Sequence, residues 1–241
     1  MNYLILMVIH AIFIISIFDL YIKSPYINNL KPINFIKSPI CKRLILIVAD
    51  GLRSATLYNE TSMNSTQFLK NICMKEGLCG VSLTHVPTES RPGHVSIFAG
   101  IHEDITSIFK GWKENANTFD TIFNESFYSW SWGSPDIMNI INKHTSNHNS
   151  ETFSYQSSFQ DFSMSDSYYL DQWVFDKVKY FLEIEVHKNQ TLNMSLNNDH
   201  IIMFLHLLGM DMSGHINKPR SKTMGDRVNF TYSSGEIFYL S

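Results

Sequence analysis

Two acidic residues follow apolar runs that have the length and composition of buried strands. Asp50 ends the run "RLILIVAD", and Asp211 ends the run "HIIMFLHLLGMD". A carboxylate beside a buried strand is costly unless it is paired or binds a metal ion. His215 comes four residues after Asp211, and a carboxylate with an imidazole suits a divalent cation, above all zinc. The alternative interpretation makes both acids helix caps or turn residues.

Two hydroxyl residues precede a predicted helix in the stretch "HVPTESRPGH", residues 85–94. Pro92 suits the first turn of a helix, which places Thr88 at the amino terminus of that helix. Free amides and the positive end of the helix dipole favour a phosphate there, and a metal ion would make the hydroxyl nucleophilic. Ser90 is the alternative nucleophile. The alternative role for either hydroxyl is that of a simple helix cap.

Other residues near these motifs are interpreted as structural. His206 lies inside a predicted strand, and His85 and His94 flank the hydroxyl stretch, so we expect ordinary hydrogen-bonded side chains at these positions. Aromatic residues in two further segments are explained at least as well by packing in the core as by a role in a substrate pocket. They are Trp112, Trp130 and Trp132.

The elements that must position these residues alternate between strand and helix. Apolar runs predict strands that lead to Asp50 and Asp211, with a further strand-like segment at 79–86. This order predicts an α/β fold with a parallel sheet, in which sites form beyond the carboxyl ends of the strands. Amphipathic spacing and capping residues predict the helices between them. The predicted helices are 65–77, 93–100 and 166–188.

An apolar segment precedes the folded region. Residues 3–20 are almost continuously hydrophobic and long enough to cross a bilayer, which predicts an amino-terminal transmembrane anchor over residues 1–22. A cleaved signal peptide is the alternative, although no basic segment precedes the run. A stalk rich in Pro and Asn follows at 23–42. We expect the folded domain at 43–220 and a divergent tail at 221–241.

The charge of the chain excludes one class of partner. Of its 241 residues, 17% are charged, and the formal net charge is −3. A protein that binds nucleic acid needs a basic surface to attract the phosphate backbone. We therefore expect no nucleic-acid partner.

Cysteines and glycosylation sequons bear on the compartment. Cys73 and Cys79 either form a disulfide or remain free thiols, and the odd cysteine count leaves Cys41 over. The basic residues from Lys23 to Arg43 favour a cytoplasmic location for the chain that follows the apolar segment. Asn-x-Ser/Thr sequons favour a secretory lumen instead. They occur at Asn59, Asn64, Asn124, Asn189, Asn193 and Asn229.

Several motifs together resemble one enzyme family in their order and spacing. The longest are "VADGLR", "VPTESRPGH" and "FLHLLGMDMSGH". Shorter ones lie between them, namely "KGWKEN", "FNES", "WSWGSPD" and "DQWVFD". With these motifs the chain resembles the lumenal domain of the GPI ethanolamine phosphate transferases, which belong to the alkaline-phosphatase-like superfamily. The resemblance implies a partial domain with a central, mostly parallel sheet flanked by helices.

The resemblance also implies an activity. The donor would be phosphatidylethanolamine, and the acceptor would be the first mannose of a GPI-anchor precursor at the endoplasmic reticulum membrane, with the catalytic part in the lumen. Thr88 would carry a phosphoenzyme intermediate. Asp50 and Thr88 would hold one of two zinc ions, and Asp211 and His215 would hold the other. Weak substrate-binding roles would fall to Lys110, Trp112 and Asn115.

The chain departs from the family pattern at its carboxyl end. In the family, an Asp-His pair and a further His complete the two metal sites, whereas residues 221–241 contain no histidine. We therefore expect a truncated chain that binds zinc weakly, with two ligands for each ion. Two other functions stay open, a metal-dependent phosphodiesterase that uses water and an inactive membrane-tethered remnant.

Overall fold

A computed structural model of the chain describes residues 3–22, 41–55, 67–84, 88–102, 119–146, 148–160 and 167–217. These residues belong to two units. The first unit comprises Met1–Asn34 and Thr84–Ile122, and the second comprises Phe35–Leu83 and Phe123–Ser241. The predicted divergent tail and all but two residues of the predicted stalk lie outside the described residues.

The described elements alternate between helices and strands. The strands are β1 (Arg43–Ala49), β2 (Tyr128–Gly133), β3 (Ser150–Ser154) and β4 (Ile201–Leu207). The helices are α1 (Tyr3–Ile22), α2 (Gln67–Lys75), α3 (Ser90–Ala99), α4 (Ile122–Glu125), α5 (Pro135–His144), α6 (Tyr168–Tyr180), α7 (Gln190–Leu196) and α8 (Gly209–Asn217). Helix α6 continues through a π-helical turn, Phe181–Glu185, into Val186–Lys188.

The second unit contains a parallel sheet of four strands in the order β1-β4-β2-β3. Parallel neighbours need crossover connections, which helices usually supply. Here α5 joins β2 to β3, and α6 and α7 join β3 to β4. The architecture confirms the predicted α/β fold with a central parallel sheet flanked by helices.

Strand β4 lies at the centre of the core because it pairs on both sides and is apolar on both faces. All of its residues are buried. Its odd-numbered residues pack with α6 against Trp130 and Trp132, which are both buried. On the opposite face, the Phe204 ring meets Phe123 edge to face, with the ring centroids 6.2 Å apart. Trp130 and Trp132 are therefore packing residues, as predicted.

Strand β1 is less buried than its apolar sequence predicts. It lies at one edge of the described sheet, where Leu44 and Ile45 are exposed. A strand with a neighbour on one side only has less surrounding chain to cover it, so apolar composition alone does not bury it. The strand-like sequence that begins at residue 79 is also not a strand, because the described residues 79–84 pair with no other strand.

The first unit contributes α1 and α3. Helix α1 confirms that the apolar amino-terminal segment is helical. No helix among the described residues has the length and apolar character that a membrane span requires, so the predicted transmembrane anchor is not confirmed. Helix α3 ends at Gly100, whose φ of 65° gives the left-handed C-cap that glycine favours.

A disulfide closes the turn after α2. Cys73, on the last turn of the helix, bonds to Cys79, with the two Cα atoms 5.6 Å apart. The structure thus favours the disulfide over the two free thiols. Cys41 is an exposed free cysteine. Disulfides form and persist in oxidising compartments, which bears on where this unit folds.

Candidate active site

Asp50 lies directly after β1, where a tight turn leads the chain past the start of α8. Its backbone N–H donates to the carbonyl of Leu207 at 2.9 Å, which extends the β1–β4 ladder. Gly51 follows with a φ of 70°, and a Cβ at this position would lie 2.6 Å from the Cα of Asp211. Glycine alone tolerates both the left-handed backbone and this contact. The turn therefore packs the end of β1 against the helical turn that carries Asp211.

His206 is the buried neighbour of Asp50. Its side chain is fully buried, and its Nε2 lies 3.6 Å from Oδ2 of Asp50. The backbone N–H of Ser134, at the amino end of α5, donates to Nδ1 of His206 at 3.4 Å. An amide nitrogen can only donate, so a neutral His206 accepts at Nδ1 and carries its proton on Nε2. The imidazole therefore directs an N–H towards the Asp50 carboxylate.

His206 belongs to the site, although its sequence context predicts a structural residue. In the β1–β4 register, Val48 pairs with His206, and Asp50 comes two residues after Val48. Residues two apart in an extended chain point to the same face, so Asp50 and His206 share one face of the sheet. His206 could have been predicted from the alternation of side chains along β1 and β4 only if the pairing of these two strands were known. That pairing is long-range information, which neither strand carries alone.

Asp211 and His215 form a second acid–imidazole pair, on α8. Residues four apart lie on one face of a helix, and here Nε2 of His215 is 3.6 Å from Oδ2 of Asp211. The side chain of Asp211 is 26% exposed and that of His215 is 64% exposed. The structure therefore brings together the two residues that the Asp-x3-His spacing singles out, and it leaves their pair open to solvent.

The two carboxylates influence one another. Burial raises the pKa of Asp211 and the negative charge of Asp50 raises it further, whereas His215 and His206 lower it. A divalent cation would offset this repulsion, and carboxylate oxygen with imidazole nitrogen is a donor set that such ions prefer. Of the four side chains in the two pairs, Asp50, Asp211 and His215 reach solvent, whereas His206 is fully buried.

The hydroxyl candidates belong to the first unit. Helix α3 starts at Ser90, Glu89 holds the N-cap position, and Thr88 is an exposed residue just before that cap. Neither hydroxyl residue is therefore the N-cap, which argues against the simple capping role. Free N–H groups in the first turn favour an anion at this helix terminus. Ser90 lies on that turn, whereas Thr88 lies just outside it.

His94 is buried on the same helix, and its ring is one of the described groups that could bind a metal ion. Its Nδ1 lies 2.7 Å from the carbonyl oxygen of Ser90, and its ring packs on Phe98 with the centroids 5.6 Å apart. Because a carbonyl only accepts, Nδ1 of His94 carries the proton. A neutral ring then has its lone pair on Nε2, which is a form that metal-binding histidines use.

Other predicted residues fall outside the described part of the chain. The predicted substrate-binding residues and the first two sequons lie in the gaps at 103–118 and 56–66, and the last sequon lies in the tail. The roles predicted for these residues therefore remain predictions. The residues concerned are Lys110, Trp112, Asn115, His85, Asn59, Asn64 and Asn229.

The described sequons differ in how their amides are used. Asn124 is held on both sides, because its Nδ2 donates to the His144 carbonyl and its Oδ1 accepts from the Ser146 backbone N–H. Asn189 is exposed and uses only Oδ1, which accepts from the Leu192 N–H and caps α7. The Nδ2 atom is the one to which a glycan is attached. The sequon at Asn193 lies on α7, where Oδ1 accepts from Asn197.

Comparison with curated proteins gives the chain its relatives. It is 46% identical over 224 residues to GPI ethanolamine phosphate transferase 1 of Mus musculus, an alignment that covers 92% of this chain and 24% of the relative. The protein of the same name from Homo sapiens is 46% identical over 218 residues, with 90% and 23% covered. That of Saccharomyces cerevisiae is 38% identical over 229 residues, with 92% and 25% covered. The chain thus spans about a quarter of the length of these relatives.

These relatives confirm the resemblance that the motifs predict. The chain also matches the family model described as type I phosphodiesterase / nucleotide pyrophosphatase over residues 44–230. The matched region contains both acid–imidazole pairs and both candidate hydroxyl residues. Because the match covers most of its length, the chain belongs to the type I phosphodiesterase / nucleotide pyrophosphatase family.

Proposed function

We propose that this chain forms part of an enzyme that transfers phosphoethanolamine from phosphatidylethanolamine to the first mannose of a GPI-anchor precursor. The observation that carries the proposal is the presence of two acid–imidazole pairs, Asp50–His206 and Asp211–His215, at the carboxyl ends of neighbouring parallel strands. Phosphoryl transfer depends on positive charge held where phosphate oxygens bind. The names of the relatives supply the transferred group and the GPI anchor, and the family resemblance supplies the lipid donor and the mannose.

Two divalent cations, zinc in the family resemblance, are the source of positive charge in this proposal. Asp211 and His215 would hold one, and Asp50 with the nucleophilic hydroxyl would hold the other. When bound, such ions neutralise phosphate oxygens and lower the pKa of a bound hydroxyl. His206 would orient Asp50 through its Nε2–H when its Nδ1 accepts from Ser134, and direct binding of an ion is the alternative role of the same ring.

The chain's own nucleophile would be a hydroxyl at the start of α3. Its oxygen forms a bond to phosphorus, the bond from phosphorus to the diacylglycerol oxygen breaks, and that oxygen leaves with a proton. The mannose hydroxyl then attacks the same phosphorus and the enzyme hydroxyl is regenerated. We assign this role to Thr88, which lies just before α3, and Ser90 on the first turn of α3 is the alternative.

Mass mapping of the covalent adduct separates the two hydroxyls. The chain is incubated with a short-chain phosphatidylethanolamine and zinc, quenched in acid and digested, and the peptide that spans residues 88–90 is sequenced. Ser90→Ala and Thr88→Ala form a matched pair of variants. We expect the phosphoethanolamine adduct on Thr88, with its loss in Thr88→Ala only. An adduct on Ser90 that survives Thr88→Ala would move the role to Ser90.

A chimera tests the whole function. The aligned segment of the Saccharomyces cerevisiae relative is replaced by this chain in cells depleted of the relative, and the GPI precursors are analysed by mass spectrometry. We expect phosphoethanolamine on the first mannose, and its loss when Asp50→Asn or Asp211→Asn is introduced. A chimera that accumulates to the level of the relative and leaves the first mannose unmodified would contradict the proposal.

The lumen of the endoplasmic reticulum is the proposed location of the catalytic part. The Cys73–Cys79 disulfide and the exposed Asn189 sequon support it. Expressed in a eukaryotic secretory system, the chain should lose apparent mass on endoglycosidase treatment, and Asn189→Gln should reduce that loss. Asn124→Gln is the matched control, because both amide atoms of Asn124 bond within the fold. A chain without any glycan, accessible to protease outside sealed microsomes, would overturn the lumenal location.

Hydrolysis is the second candidate function, supported by the description of the family as phosphodiesterases. In that case water, rather than mannose, would attack the phosphoenzyme. The two functions are separated by the product from a labelled phosphatidylethanolamine. Free phosphoethanolamine formed at the same rate with and without a mannose acceptor would favour the phosphodiesterase.

A further inference from the structure

A buried carboxylate accepts a hydrogen bond from the first residue of α8. Asp171, on the first turn of α6, is 1% exposed, and its Oδ1 accepts from the backbone N–H of Gly209 at 2.8 Å. Ser167, which precedes α6 and is also buried, donates from its hydroxyl to the carbonyl of the same Gly209 at 2.8 Å. Both backbone groups of Gly209 are thereby fixed by side chains at the amino end of α6. We call Asp171 and Ser167 the Gly209 clamp.

The clamp leaves no space for a side chain at position 209. A Cβ built on Gly209 would lie 2.5 Å from Oδ2 of Asp171 and 2.8 Å from its Cγ. Such contacts are shorter than real Cβ atoms tolerate, so a larger residue would push the carboxylate away. The carboxylate thus lies directly over the start of α8, two residues before Asp211.

Asp171 is costly to bury and therefore needs a physical reason for its position. A buried carboxylate is tolerated where hydrogen-bond donors and positive ends of helix dipoles face it, and Asp171 is at the amino ends of both α6 and α8. Its negative charge also acts on Tyr155: burial is the largest cause of the raised pKa of the Tyr155 hydroxyl, and the Asp171 charge is the second largest. The apolar contacts around the clamp, among Leu170, Leu208 and Met212, hold α6 against α8.

We propose that Asp171, together with Ser167, is a positioning residue that fixes the first turn of α8 and thereby sets the place of the Asp211 carboxylate for cation binding. This inference rests on the proposed function, in which Asp211 is a cation ligand. Groups that orient metal ligands in this way typically change metal affinity about 10- to 100-fold when they are removed. Asp171 itself does not contact the cation in this proposal.

Zinc titration of the isotope-labelled chain, followed by NMR, tests the proposal. The His215 ring signals report zinc binding, and the Gly209 amide reports the clamp through its chemical shift and its hydrogen exchange. We expect Asp171→Ala and Ser167→Ala to speed exchange at Gly209 and to weaken zinc binding about tenfold or more. Asp171→Asn, which keeps an acceptor oxygen, should recover part of the affinity.

Ser129→Ala is the matched control. Ser129 is also buried, and its hydroxyl donates to the Ser150 hydroxyl at 2.8 Å, near the start of β2 and away from α8. We expect this variant to keep the zinc affinity of the wild-type chain. If the clamp variants are folded and bind zinc as tightly as the wild-type chain, the positioning role is wrong while the cation site stands. If the wild-type chain binds no zinc, the cation site is wrong and the role of Asp171 falls with it.

Discussion

The two acid–imidazole pairs have the same separation and opposite surroundings. Nε2 lies 3.6 Å from a carboxylate oxygen in both Asp50–His206 and Asp211–His215. The His206 ring is fully buried and is fixed by an amide from another element, whereas the His215 side chain is 64% exposed on a helix surface. Strand pairing builds the first pair, and helix periodicity builds the second. We therefore expect His206 to contribute mainly to the stability of the fold and His215 to contribute mainly to zinc binding.

Stability should separate the pairs most strongly. His206→Ala removes a buried ring and leaves the Ser134 amide without its acceptor, so we expect the free energy of unfolding to fall by about 3 kcal/mol. His215→Ala should change it by no more than about 0.5 kcal/mol, because an exposed side chain is lost. Urea denaturation of both variants measures the difference. Equal losses would show that the two histidines have equivalent surroundings.

For zinc affinity we expect the opposite order, with a larger effect of substitutions at His215 than at His206. His215→Gln removes a proposed ligand and should weaken zinc binding by at least about tenfold. His206→Gln keeps an N–H that can face Asp50, so its effect on affinity should be smaller than tenfold. The measurement is a zinc titration of both variants under identical conditions. A greater loss in His206→Gln would make His206 the direct ligand and would reverse the assigned roles.

The pH dependence of stability should show the strain on Asp211. Its folded pKa is raised by burial and by Asp50, relative to about 3.9 in the unfolded chain. The ionised form is therefore disfavoured in the fold, and the cost is absent below the unfolded pKa, grows as the pH rises, and is complete above the folded pKa. Without divalent cations at neutral pH, Asp211→Asn should therefore be more stable than wild type and should have a higher Tm.

Thermal unfolding at several pH values checks this prediction. The advantage of Asp211→Asn should vanish in acid, where both proteins are uncharged at this position. Asp199→Asn is the control, since that carboxylate is exposed and pairs with Lys42 at the surface. An advantage that does not depend on pH would mean that the Asp211 charge is not the cause. Added zinc should stabilise wild type more than Asp211→Asn, which keeps only the proposed site at Asp50.

The sequence predicts the site residues that lie close together in the chain better than those that strand pairing brings together. Asp211 and His215 are found because helix periodicity is local, and Asp50 is found because an acid ends an apolar run. His206 is missed because its partner comes from strand pairing across more than a hundred residues of sequence. The start of α3 is also slightly displaced from its prediction, because capping rules locate a helix end only to within a residue or two.

The same distinction applies to the fold. The apolar runs and amphipathic helices predict the α/β class, and the parallel sheet confirms it. Strands β2 and β3 are missed because "YSWSWG" and "SETFS" owe their extended form to pairing and packing rather than to a long apolar run. The exposure of Leu44 and Ile45 follows from the edge position of β1, which sequence composition does not encode.

In the proposed function, the carboxyl edge of β1 and β4 holds two divalent cations, one at Asp211 and His215 and one at Asp50. Crystals of the chain soaked in zinc, with anomalous diffraction recorded at the zinc absorption edge, test it most directly. We expect one peak at about 2 Å from both the Asp211 carboxylate and Nε2 of His215, and another at the same distance from the Asp50 carboxylate. Well-ordered crystals in which these carboxylates carry no anomalous peak, at zinc concentrations that fill other sites, would contradict it.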